Sequence, residues 1–176
     1  MVMADEGRFP MRLALIAATM MATSLPALAE PRVERVDVLD AGTYVVEVGA
    51  VTADPAAPGG QTVAVTTATL VTEGTTLPAV PGAEFGFRYV AVGTPEGAPV
   101  ALDFVITYPE PGLADPDAAE PIRTARFTRE KTIGVPDYLG YNLEQPWELV
   151  PGAWRFEIWS EGRQLAGRTF TLTAPD

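Results

Sequence analysis

Four cations fall within nine residues, at Arg123, Arg126, Arg129 and Lys131. They follow directly on residues 109–121, which carry Glu110, Asp115, Asp117 and Glu120 among four prolines. A guanidinium matches the geometry of a carboxylate or phosphate, so Arg123, Arg126 and Arg129 are candidate anion ligands. The competing reading is charge balance with the acidic stretch, together with protection of an edge strand from self-pairing. The acidic stretch in turn offers the clustered hard oxygens that calcium wants. Yet Asp115-Pro-Asp117-Ala-Ala-Glu120 lacks the glycine and the ligand register of the helix–loop–helix calcium pattern. A solvated, proline-stiffened connection is expected there, with no metal site and no cofactor.

Nucleophilic chemistry is poorly supplied. The chain has no histidine and no cysteine, which removes imidazole-activated nucleophiles, thiolate zinc sites, Fe–S clusters and disulfides. Beyond residue 29 there is one serine, Ser160, and one lysine, Lys131, and they are not in the Ser-x-x-Lys spacing of serine–lysine enzymes. Paired carboxylates are the acid–base chemistry the composition leaves open. With 21 acidic residues after residue 29, some pair will lie at a working distance by chance. No catalytic residue is assigned; a carboxylate-based hydrolase stays as an alternative.

Three large aromatics, Tyr138, Tyr141 and Trp147, lie in residues 134–151, a segment interrupted by Pro136, Gly140 and Pro146. Loop aromatics provide contact area at low entropic cost, so these are the candidate binding residues for a protein or peptide partner. Flanking Asp137, Asn142, Glu144 and Gln145 would suit a carbohydrate-binding module taking a neutral glycan. The bland alternative is that the rings plug one end of the fold.

What must position these groups is a β framework. Proline (17) and glycine (16) are too frequent for a helical bundle. Period two dominates: Tyr44, Val46, Val48; Phe85, Phe87, Tyr89; Leu102, Phe104, Ile106, Tyr108; Trp154, Phe156, Ile158. Weaker strands are expected at 33–39, 62–71, 122–133 and 165–173, with a bulge at Gly167 to reconcile Leu165 with Phe170 and Leu172. Turns are expected at 40–42, 55–60, 78–82, 93–99, 109–121 and 160–162. Seven or eight strands of this kind predict an all-β, immunoglobulin-like antiparallel β-sandwich, with a small β-barrel as the alternative.

The N-terminus reads as an address. Residues 13–25 are an apolar run too short to span a bilayer. Arg8 and Arg12 precede it, and Ala27 and Ala29 supply the small-x-small cleavage pattern. Residues 1–29 are therefore expected to be a signal peptide cut between Ala29 and Glu30, leaving residues 30–176 as one periplasmic or secreted domain that has no membrane attachment after processing. The net charge of −11 argues against a nucleic-acid partner.

The segments Phe85-Gly86-Phe87-Arg88-Tyr89 and Trp147-Glu148-Leu149-Val150-Pro151-Gly152-Ala153-Trp154, with Ile158-Trp159, Gly162, Leu165-Ala166 and Phe170 behind them, form a recognisable set. The combination resembles a family of exported bacterial proteins described as a domain of unknown function, over residues 35–173. That resemblance implies an exported β domain and assigns no activity or site residues.

Overall fold

The computed structural model describes residues 30–53 and 60–175. The expected signal peptide, its cut after Ala29, and all but the last residue of the turn at 55–60 lie outside the described residues. Nine strands are described: β1 (Arg32–Ala53), β2 (Gln61–Glu73), β3 (Thr76–Pro78), β4 (Glu84–Thr94), β5 (Pro99–Thr107), β6 (Thr124–Thr132), β7 (Pro136–Asn142), β8 (Gly152–Ser160) and β9 (Arg163–Thr173). They form two sheets, ordered β2-β1-β4-β7 and β3-β9-β8-β5-β6. Neither sheet closes on itself, so the architecture is a sandwich and not a barrel.

Period-two alternation builds the core between the sheets. Phe85, Phe87 and Tyr89 on β4 are fully buried, as are Trp154 and Phe156 on β8 and Phe170 on β9. Phe85 meets Trp154 and Phe156 edge-on at 5.6 Å each and Phe170 at 5.4 Å, the geometry that ring quadrupoles prefer. Phe104 on β5 lies 6.1 Å from Tyr89 across the same interface. The indole nitrogen of Trp154 donates to the Val150 carbonyl at 3.0 Å, so the largest core side chain leaves no orphaned donor. At the β8–β9 turn, Glu161 and Gly162 both have positive φ (51° and 74°), which matches the right-handed strand twist.

Four sequence expectations need correction. No turn occurs at 40–42: β1 runs through it as one 22-residue strand. Leu39 is the extra residue of a bulge between the pairs Val38–Tyr89 and Asp40–Arg88, and Gly42 is needed because the Thr72 carbonyl of β2 occupies the space of a Cβ. The bulge in β9 falls at Leu165, skipped between the pairs Ile158–Ala166 and Trp159–Gln164, and not at Gly167. Strand β3, only three residues long and parallel to β9, was not anticipated. Most consequential, Tyr138 and Tyr141 lie on a strand, β7, and not in a loop.

Candidate binding cleft

Strand β7 escaped notice because Pro136 and Gly140 read as breakers. Each is tolerated for a local reason. Pro136 is the first residue of an edge strand, where a missing N–H costs no ladder bond. Gly140 pairs with Gly86 of β4, and the ring of Tyr138 lies across both glycines, occupying the space of a Cβ at Gly140. An aromatic laid over paired glycines restores the packing that they forgo.

β7 ends the four-stranded sheet and β6 ends the five-stranded one, and these two edges, without a partner strand among the described residues, are on the same side of the sandwich. Lys131 of β6 reaches Asp137 of β7 at 2.7 Å and ties the two edges at one end. A cleft of about 1200 Å³ follows them. Every residue from Asp137 to Asn142 lines it. One strand face would contribute alternate residues only, so the six consecutive positions mean that the cleft runs along the backbone edge of β7. Residues of β6 and the outer part of the β1–β2 hairpin form its walls, among them Phe127, Lys131, Val48 and Val63. Val48 and Val51 of that hairpin are 63% and 60% exposed.

The structure separates the three candidate aromatics. Tyr138 and Tyr141 point to opposite faces of β7, so they cannot make a single stacking platform. Tyr138 packs on Tyr44 at 4.8 Å and donates its hydroxyl to Glu84 Oε1 at 2.7 Å. Tyr141 enters the sandwich, 5.0 Å from Trp154 and 5.9 Å from Tyr108, and donates to Glu148 Oε1 at 2.7 Å. Trp147 sits on the 3-10 turn Pro146–Glu148, half-buried against the core. All three nevertheless line the cleft.

Glu148 explains the local fold of the Trp147–Trp154 segment. It is 6% exposed, and its Oε2 accepts the backbone N–H groups of Glu144 and Gln145 at 2.7 and 2.6 Å. Those bonds cap the 3-10 turn and hold the chain leaving β7. Burial and the neighbouring acids push the Tyr141 and Tyr108 hydroxyls well above the usual tyrosine range.

Glu84, at the head of β4 and paired with Asn142, was missed from sequence. Burial, opposed by the Tyr138 hydroxyl and aided by Glu144, raises its carboxyl to about 7. Its even parity, opposite to Phe85 and Phe87, groups it with solvent-facing acids, so no local signal in the sequence marks it. The outer face beside it carries a second network, in which Arg88 pairs with Asp40 and Tyr44 donates to Asp40 at 2.5 Å. The Arg88 guanidinium holds Asp40 below the usual carboxylate range.

The three arginines do not converge. Arg123 precedes β6 and pairs with Glu110 at 3.2 Å, both exposed. Arg126 and Arg129 take alternate faces of β6; Arg129 is the one on the cleft wall, 4.9 Å over the Phe127 ring. In the acidic loop Asp115 Oδ1 accepts the N–H of Asp117 at 2.9 Å. Among the described residues no group of three or more acidic side chains is placed to hold a metal ion, and no helix is long and apolar enough to cross a membrane.

The sequence profile of a domain of unknown function (DUF3859) matches residues 35–172. The chain belongs to that family. No curated protein matches it. Among solved structures it is similar to an immunoglobulin-like protein from Pseudomonas aeruginosa, at 24% identity and a TM-score of 0.51, over 82% of this chain and 98% of that one. At that identity the likeness speaks for fold, and it makes this domain an immunoglobulin-like β-sandwich.

Proposed function

We propose that this member of the DUF3859 family is an exported, non-catalytic binding module that takes an extended segment of a partner protein along the edge of β7. The observation that carries the reading is the continuous run of six cleft-lining residues on an edge strand whose outer side has no partner strand among the described residues. An extended segment laid there gains main-chain hydrogen bonds from the edge and side-chain contacts from the walls, the mode of β-strand addition. The seven residues of β7 offer about 23 Å of edge at roughly 3.3 Å per residue. The cleft's volume of about 1200 Å³ also exceeds the roughly 300–1,000 Å³ typical of small-molecule pockets. Export to the periplasm or medium rests on the apolar run and the Ala27-x-Ala29 pattern.

The test is selection from a random display library of peptides about ten residues long, followed by amide hydrogen exchange of the protein with each synthesised binder. Slowed exchange of β7 amides supports the reading. Binders that leave β7 exchange unchanged, or a library that yields none, refute it.

A further inference from the structure

Beyond the pair Thr43–Phe85, β1 leaves β4 and, among the described residues, runs on with β2 as its one partner strand. The result is a two-stranded arm, residues 44–53 against 61–70, in which Glu47 is the one charged residue. Tyr44 stands opposite Leu70, Val46 opposite Ala68, Val48 opposite Val65 and Val51 opposite Val63. Residues directly opposite in a ladder share a face, so all eight of these apolar side chains lie on one side of the arm. Glu47, opposite Thr67, and Val45, opposite Thr69, lie on the other.

Regular alternation would not give this result. From Ala68 it would carry Thr66 and Ala64 onto the apolar side. Thr66 is instead an extra residue of β2, and the shift brings Val65 and Val63 there. A further irregularity between Val48 and Val51 turns Val51 the same way. Bulges re-aim side chains in this manner, and both of these enlarge one apolar face.

The face is covered at its base and bare towards its tip. Tyr44 is 5% exposed and packs on Tyr138 at 4.8 Å, whereas Val63, Val48 and Val51 are 40%, 63% and 60% exposed. A bare apolar face on a ribbon of only two strands marks a contact surface. Its direction says what it contacts. Tyr44 places the arm on the side of β7 that carries Tyr138, Gly140 and Asn142, and Val46, Val48, Val63 and Val65 line the same cleft as the β7 edge. Phe127 and Lys131 of β6 line it from the other side, that of Asp137 and Tyr141. A strand added to β7 therefore turns alternate side chains towards the arm and the rest towards β6. A flat membrane does not fit a face turned into a cleft, and a second copy brings a further charge of −11.

We propose that the β1–β2 arm selects a partner segment with aliphatic or aromatic side chains at every second position, seated against Val48 and Val63. The inference rests on the segment-binding reading and adds the sequence pattern that the cleft selects.

The probes are synthetic peptides from the display selection that slow β7 exchange. Their sequences should share apolar residues two apart. Val48→Thr with Val63→Thr should weaken such a peptide by about tenfold in calorimetric titration, and should have little effect on a version with those apolar residues changed to alanine. Val48→Thr alone should give part of the same loss. Val45→Thr, at a valine of equal exposure on the other face, should leave affinity unchanged. All three substitutions exchange β-branched side chains at exposed positions, so melting should not move. β7-protecting peptides without apolar residues two apart, unchanged affinity in the double variant, or an equal loss in Val45→Thr overturn this inference and leave the segment-binding reading standing. Sedimentation that shows a dimer, or flotation with phosphatidylcholine vesicles, abolished in either case by the double variant, also overturns it by giving the face to another occupant. Absence of any β7-protecting peptide overturns both.

Discussion

The sharpest quantitative test of the electrostatics around the cleft is Glu84→Gln followed across pH. In the folded protein the Glu84 carboxyl is raised from 4.5 to about 7, first by burial and then by Glu144, with the Tyr138 hydroxyl working against the rise. Between these two pH values the native state holds a proton that the unfolded chain has released. Stability must therefore fall as pH rises through the window, and level off above it. At 1.36 kcal/mol per pKa unit, the displacement amounts to at most about 3 kcal/mol. Glutamine keeps an oxygen that accepts the Tyr138 hydroxyl, so the substitution removes the titration while preserving the hydrogen bond. Urea unfolding of both proteins at about pH 5 and about pH 8, at constant ionic strength, gives the comparison. The variant should gain about 2–3 kcal/mol on the parent over that interval and be the more stable of the two at the higher pH. Asp40 does not confuse the result. The neighbouring Arg88 holds it low, so its contribution is lost only under more acid conditions. Parallel pH profiles for the two proteins would refute the argument, because they would mean that Glu84 ionises in the fold as it does in water.

Trp154→Ala empties the centre of the core and should cost about 3–5 kcal/mol in denaturant unfolding; a loss under about 1 kcal/mol would contradict its complete burial. Gly140→Ala puts a methyl group where the Tyr138 ring lies, so it should lower the melting temperature and speed amide exchange in β7; an unperturbed melt would count against the ring-over-glycine packing. Intact mass of protein released from the periplasm should correspond to a chain starting at Glu30, and recovery of the uncut chain in the inner membrane would sink the export proposal. Asp115→Asn with Asp117→Asn should leave melting unchanged whether or not calcium is present; a calcium-dependent rise in the parent that the double variant abolishes would establish a calcium loop.

Fold class was legible because it is written in local periodicity. Phe85-x-Phe87-x-Tyr89 and Trp154-x-Phe156-x-Ile158 each declare an inward face, and every one of those residues is buried. Local signals failed where a distant backbone decides the conformation. Asp40-Ala41-Gly42 has turn composition, but β4 and β2 flank it and convert it into strand. Pro136 and Gly140 look like breakers until β7 is seen to lie at a sheet edge with Gly86 opposite. The separation of Tyr138 from Tyr141 follows from that single missed strand, since residues three apart must then face opposite ways.

The cleft was harder still to anticipate, because edge position is a property of strand order and not of any strand's own residues. β6 and β7 are consecutive in sequence yet belong to different sheets, so the chain crosses between sheets at residues 133–135 and, among the described residues, leaves one edge of each strand without a partner on the same flank. An unpaired edge invites association, and proteins usually blunt one with charge or proline. Here that protection is concentrated at the start of β7, where Pro136 lacks a donor and Asp137 is tied to Lys131. The remainder of the strand, from Tyr138 to Asn142, borders an open cleft. Protection that stops part-way along an edge leaves the rest of that edge open to an extended segment. Two copies of a chain that carries a net charge of −11 repel each other, which guards the open edge against self-pairing while leaving it free for a partner of other charge.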